Sequence, residues 1–459
     1  MYFESRFFTL INEFLSFLQK KLAFLGEKSY ILSNIEHILF LFICLAIVLS
    51  LVCGNGITAV LLCFVIGFFL LTLMLKKGAC IFLEKSTFFL IMYFIVALVS
   101  TVNSTLMSQS FVGLSKTALY LVFYLSVMQY LRLHKEKIYT VVSIIAYSVC
   151  FEAVIAVLQN NANVLSAATW QDTRTLNPEF VLTRVYGTLK PSNPNLLGGF
   201  LIAALPFLWL DTILNFFDRK HISFVFDLIF SLISVSAIFM TGCRGAYIAL
   251  FFMLIGFLIF AFDIIKKYYP EVFNALIQKK NIIISVCCAG VAGILVCFPK
   301  IFHRILSIFA MRNDSSTSFR MNVYASSVEM FRDNFWLGIG AGNKVFREIY
   351  GLYMLSGFDA LSAYSVFLET AVESGIFGLI FYLLFVIFLI KYAIKAYINI
   401  SDVKIKTIIA ILLLSIFGVL IHGLFDTIYF RPQVQLIFWT TAAIITICSD
   451  YKEINGSKV

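Results

Sequence analysis

The sequence predicts an all-α fold: a polytopic integral membrane protein of about twelve transmembrane helices with a large, partly helical outer loop. Three observations lead there. Of the 459 residues 61% are hydrophobic, and the mean hydropathy is +0.94. Only 13% are charged. Lys and Arg sit mainly between apolar runs, as membrane topology requires. The last pattern also disposes of a nucleic-acid reading of the net charge of +10, because no basic aromatic patch tracks a strand.

In chain order, residues 1–35 place Phe3, Phe7, Leu10, Phe14, Leu18 and Leu22 at helical spacing, accompanied by Lys20, Lys21 and Lys28. This predicts an amphipathic helix, either on the inner membrane surface or packed on the bundle. Glu4 interrupts the n-region and no small-residue cleavage site follows, so a cleavable signal is not expected. The transmembrane domain covers 36–448. Its apolar segments fall at roughly 36–53, 57–75, 87–104, 111–131, 138–159, 193–216, 222–242, 244–265, 281–299, 364–391, 404–425 and 431–448. With these in order, Lys76-Lys77, Arg132 with Lys135 and Lys137, Arg219-Lys220, Lys266-Lys267 with Lys279-Lys280, and Lys391 with Lys395 and Lys404 share one face. The positive-inside rule makes that face cytoplasmic, together with both termini and a tail at 449–459. The ten cysteines lie mostly in apolar segments, and no spacing, including adjacent Cys287-Cys288, suggests zinc or a disulfide framework.

Two long polar stretches, 160–192 and 300–363, fall on the outer face. Long ordered loops are uncommon unless functional, so chemistry is expected there. In the second, Phe319, Val323, Met330 and Phe331 recur at helical spacing before the run Gly338-Ile339-Gly340-Ala341-Gly342-Asn343 breaks the pattern. No strand precedes this glycine run, so it reads as a tight turn and not a nucleotide fingerprint.

The outer face collects Arg184, Lys190, Arg244, His303, Arg304, Arg312, Arg320 and Arg431. Cations there oppose the topological bias, and guanidinium forks match phosphate oxygens, so the set reads as an anion site. Beside it, Pro191-Ser192-Asn193-Pro194-Asn195 starts a helix, whose free N–H groups suit a phosphate. Lys116 and Glu152 interrupt apolar runs and should face the bundle interior, as a structural pair or separately. His422 and Asp426 stand four apart, most simply for a structural hydrogen bond at a helix end. The outer carboxylates Asp314, Glu329, Asp333, Glu348 and Asp359 are scattered, and no metal or cofactor is expected.

Taken together, the motifs resemble the O-antigen ligase and polymerase superfamily of bacterial envelope proteins. The carrying residues are Asn193 to Gly199, Thr241-Gly242-Cys243-Arg244-Gly245, Phe319-Arg320, Leu337 to Asn343, Glu369 to Gly378 and His422 to Asp426, in that order. The resemblance covers roughly 110–445. Ala363-Tyr364-Ser365 and 422–435 look most similar to the branch labelled putative bicarbonate transporter. The resemblance implies an all-helical, C-type glycosyltransferase fold. It also implies transfer of a glycan from a polyprenyl-diphosphate carrier in membrane lipid to an acceptor, here unidentified, at the outer face of the bacterial inner membrane. Arg244 and Arg320 match the arginines that hold the diphosphate. Arg184, Lys190, Asn193, Asn195, His422 and Arg431 are the further candidates for diphosphate or glycan binding. Tyr364 stands where the ligases place a His; an ordinary Tyr, with a pKa of about 10, is a poor base near neutrality. The alternatives are a small-anion (bicarbonate) transporter and a non-catalytic envelope-assembly protein.

Overall fold

The computed structural model describes residues 6–76, 79, 81, 84–164, 184–282, 285, 299–308, 315–355 and 357–450. Among them there are no strands, and 11 helices are long and apolar enough to cross a membrane. Helix α1 (Arg6–Lys28) precedes five spans: α2 (Ile35–Val52), α3 (Asn55–Leu75), α4 (Lys85–Asn103), α5 (Met107–Leu133) and α6 (Lys137–Asn161). Then follow α7 (Pro194–Phe217), α8 (His221–Met240), α9 (Arg244–Tyr268) and the short α10 (Pro270–Gln278). The second loop holds α11 (Pro299–Leu306), α12 (Ser315–Asp333) and α13 (Asn343–Tyr350) before α14 (Val366–Asn399), α15 (Val403–His422) and α16 (Pro432–Ser449). Most of the expected 281–299 span, Cys287, Cys288, Cys297, Arg312, Asp314, the middle of the first loop and most of the 449–459 tail lie outside the described residues.

Helices α7, α15 and α16 are buried along most of their length and form the centre, with the other spans around them. Helix α7 begins where the sequence suggests. The Asn193 side chain accepts the N–H of Asn195 at 2.8 Å, and Pro194 takes the first helical position. Helix α1 docks on the bundle against α3. There the Gln19 amide donates to the carbonyls of Leu73 (2.8 Å) and Ala79 (2.7 Å), while Asn12 accepts from the N–H of Ile81 at 3.0 Å. Two polar side chains on its inner face thus satisfy backbone groups in the last turn of α3 and just beyond it. Leu10, Phe14 and Phe17 remain exposed on its far face.

The helices alternate, so that α2, α3, α4, α5 and α16 bring Glu36, Lys76, Glu84, Arg132 and Asp450 together at one end. The helices of the second long loop and the described ends of the first lie at the other. That loop-bearing end is organised by a break in α14 at Gly375, whose φ of +64° is open to glycine. A Cβ there would lie 2.3 Å from the Trp336 carbonyl oxygen. The break frees the carbonyls of Val372 and Glu373 to accept from Ile339 (2.9 Å) and Gly340 (3.0 Å). The glycine run is therefore a turn that docks on a broken membrane helix. Such breaks are tolerated where neighbouring protein re-satisfies the backbone. A small second core, including Val323, Met330, Val345, Phe346 and Val372, fastens α12 and α13 to this point.

Candidate functional site

At the loop-bearing end Arg184, Arg244, Arg304 and Arg320 line one small cavity with Asn195, Cys243 and Asp426. Each guanidinium is held by backbone oxygen. Arg184 Nε donates to Thr241 (2.7 Å), Arg244 Nη1 to Ser307 (3.2 Å), Arg304 Nε to Gly242 (3.0 Å) and Arg320 Nη1 to Phe425 (2.7 Å). The turn between α8 and α9 supplies two of those acceptors and Arg244 itself, because the chain leaves α8 at Met240 and re-enters a helix at Arg244. The cavity holds about 30 Å³, room for a water or two but not for a diphosphate.

Four arginines face one carboxylate here, among the described residues. Asp426 Oδ2 accepts from Arg320 Nη2 at 3.1 Å and from the Asn195 amide at 2.9 Å, and its Oδ1 accepts the N–H of Thr427. Desolvation, the largest single influence, works against the Arg320 charge, but Asp426 together with Cys243, Tyr324 and Tyr364 outweighs it and raises the guanidinium above its ordinary value. Arg184 is the opposite case. Its side chain meets the neutral Thr241 carbonyl and the Asn195 amide oxygen (2.5 Å). Burial pulls it below its ordinary value, and the charges of Arg320 and Arg244 add to that pull. A buried cation bonded to neutral acceptors is a place where an incoming anion gains most.

Asp426 is also the wall of a second, larger cavity of about 270 Å³. Its lining includes Lys116 from α5, Glu369 and Glu373 from the first turns of α14, and Arg431. Aromatic rings of Tyr93, Tyr120, Tyr364, Tyr382, Tyr429 and Trp439 make much of the rest. Glu373 is fixed by the helix break: its Oε1 accepts the N–H of Gly342 at 2.8 Å, and the Ser100 hydroxyl donates to its carbonyl at 2.6 Å.

The structure brings Arg184, Asn195, Arg244 and Arg320 into the first cavity, and Asn193, Tyr364 and Arg431 into the second. Tyr364, in the left-handed region at φ +51°, lays its ring 5.1 Å from the Arg320 guanidinium. Burial raises its hydroxyl above the usual value, and Asp426 adds to the effect. Lys190 lines neither cavity. Its side chain is exposed, and its carbonyl accepts from Gln433 at 3.0 Å. The His422–Asp426 expectation is corrected in detail. Helix α15 ends at His422, so the four-residue spacing no longer aligns the two side chains, and the bond between them is Asp426 N–H to the His422 carbonyl at 3.1 Å. His422 Nε2 instead meets Cys243 Sγ at 3.4 Å. Lys116 and Glu152 do not pair either: Glu152 accepts from the N–H of Thr188 at 2.9 Å and from its hydroxyl.

Glu369 and Glu373 entered the sequence reading only as part of a family motif, not as site residues, and the sharing of Asp426 escaped it. The one signal was the four-residue spacing of the two glutamates, which puts them on one helical face. No curated protein matches the chain at a significant level. Residues 229–383, from α8 to α14, match the family model described as O-Antigen ligase. With Arg244 and Arg320 both inside that stretch, the match supports assignment of this polytopic membrane protein to the O-antigen ligase/polymerase superfamily.

Proposed function

We propose that the chain transfers a glycan from a polyprenyl-diphosphate carrier at the outer face of a bacterial inner membrane, with both termini cytoplasmic. Arg184, Arg244, Arg304 and Arg320 hold the diphosphate, with Asn195 and His422 bracing the pocket. The carrying observation is that four carbonyl-anchored guanidinium groups line one cavity, where Arg320 pairs with Asp426 and Arg184 meets only neutral oxygens among the described residues. A diphosphate supplies the negative charge that Arg184 lacks. It enters by shifting α11 and α12, since the closed cavity is too small. Fixed positive charge in a partly dry site stabilises the diphosphate as it leaves, and no reorganisation of the arginines is needed at that moment.

Lysine keeps the charge and loses the fork. Arg244→Lys and Arg320→Lys should therefore each lower transfer by about 10- to 100-fold. This corresponds to losing one charge-assisted hydrogen bond of about 1.5–3 kcal/mol. The measurement is transfer and carrier retention in liposomes, with lipid-linked glycan extracted from the source membranes, at matched expression. Normal binding and turnover by both Lys and both Ala variants overturns the clamp. Saturable bicarbonate uptake by the same liposomes, abolished by Arg320→Ala, favours the transporter reading.

A further inference from the structure

The larger cavity has a composition the diphosphate site does not explain. Sugars offer C–H faces to aromatic rings and hydroxyl protons to carboxylates, and both kinds of partner line this space: Tyr93, Tyr120 and Trp439 on one hand, Glu369 and Glu373 on the other. At about 270 Å³ it lies at the small end of ordinary ligand pockets, which run from about 300 Å³ upward. Tyr382, only 3% exposed, lines it with a hydroxyl that faces Tyr429 but completes no well-formed hydrogen bond among the described residues. A buried hydroxyl without a partner is costly unless a ligand or water completes it.

The polar groups are positioned but not exhausted. Glu369 Oε2 accepts the N–H of Ala363 at 3.1 Å, and its Oε1 is 3.4 Å from the Asn343 amide. Glu373 uses Oε1 on Gly342, and its Oε2 accepts no hydrogen bond among the described residues. Lys116 and Arg431, the cations on the same lining, form no ion pair among the described residues. The shared Asp426 wall places this space directly beside the arginines.

We infer that the larger cavity is the acceptor subsite, that it takes the hydroxyl-bearing end of a sugar, and that the Glu369–Glu373 pair receives the proton of the attacking hydroxyl. This rests on the diphosphate reading above. In the step, the acceptor oxygen forms a bond to the donor's anomeric carbon and gives its proton to a glutamate oxygen. The bond from that carbon to the diphosphate breaks, and its electron pair leaves with the diphosphate onto the arginines. The pair thus supplies the base at a site where Tyr364 is a weak one.

The test uses full-length protein purified from source membranes, with lipid-linked glycan from those membranes as the probe. Donor retention is read by mass spectrometry and product by transfer assay across pH. The Glu369→Gln/Glu373→Gln double variant should retain donor as wild type does, make at least about 100-fold less product, and lose the acid limb of the pH profile. Glu373→Asp should recover part of the rate. Tyr382→Phe, which removes no well-formed hydrogen bond, should leave donor retention unchanged and raise the acceptor KM by about tenfold. Product from the double variant within about threefold of wild type overturns the inference, as does loss of donor by the double variant while Arg320→Lys keeps it. Donor retention and transfer unaffected in Arg320→Lys and Arg320→Ala would sink the diphosphate reading itself, whatever the glutamates do.

Discussion

Arg132 and Arg184 lie at opposite ends of the same bundle, and both are partly buried. Arg132 Nη2 donates to Glu84 at 2.7 Å and to Asp450 at 2.8 Å. Around it Lys76 pairs with Glu36, and nearer the periphery Lys404 meets Asp218 at 2.6 Å. That end is the one the sequence marks as basic, yet Lys76, Arg132 and Lys404 there are matched by carboxylates. Arg184 instead donates to a carbonyl and an amide oxygen, in a cavity where Asp426 pairs with Arg320. A carbonyl fixes a guanidinium without neutralising it. The first cluster is complete as it stands and ties α4, α5 and the C-terminal end of α16 together. In the second, Arg184 has position without a carboxylate of its own among the described residues, as an anion site requires.

Substitutions can break or sharpen this contrast. The largest effect is expected from Arg184→Gln. Inorganic diphosphate should raise the Tm of wild type by binding the folded state, and the variant should lose that gain because affinity falls by at least about tenfold. Its Tm without diphosphate should stay the same or rise, since an unbalanced buried cation is gone. A thermal-shift titration decides it; a variant that unfolds earlier, beside a wild type indifferent to diphosphate, would make Arg184 structural and erase the contrast. Arg132→Gln should do the reverse. It strands two carboxylates and should cost about 2–3 kcal/mol in unfolding measurements, while donor retention at the other end stays normal.

The smallest effect concerns Glu84. Desolvation, then its hydrogen bond to Asp450, pushes its carboxyl up to about 7 despite Arg132. The folded state therefore binds this proton more tightly than the unfolded chain does. Its contribution is complete below about 4.5 and is lost as pH rises through about 7. Wild-type Tm should accordingly sag across that window, and Glu84→Gln should flatten the slope. An unchanged slope would mean that Arg132 dominates the carboxylates at every pH.

Much of the scaffold was legible in the chain. Apolar runs of spanning length, the Asn193-Pro194 helix start and the helical spacing of Phe319, Val323 and Met330 reflect local periodicity and local hydrogen bonding, which the sequence carries directly. Arg244 and Arg320 were also legible, because cations away from the positive-inside face ask for a reason. Their partners were not. Arg320 meets Asp426 across 106 positions, and Arg184 meets Thr241 across 57. No pattern along the chain encodes which carbonyl will face which guanidinium.

The sequence by itself thus determined the class of fold, the order of its spans and the cationic character of one polar face. The tertiary structure decided that α1 packs on the bundle, that His422 turns to Cys243 and not to Asp426, and that Glu152 braces Thr188 and leaves Lys116 alone. It also decided that α14 breaks at Gly375 and delivers Glu373 to a cavity sharing a wall with the arginines. The physical reason is the same in each case. Helices follow from bonds between near neighbours, whereas charge balance, cavities and hydrogen-bond partners depend on which distant segments the packed bundle presses together.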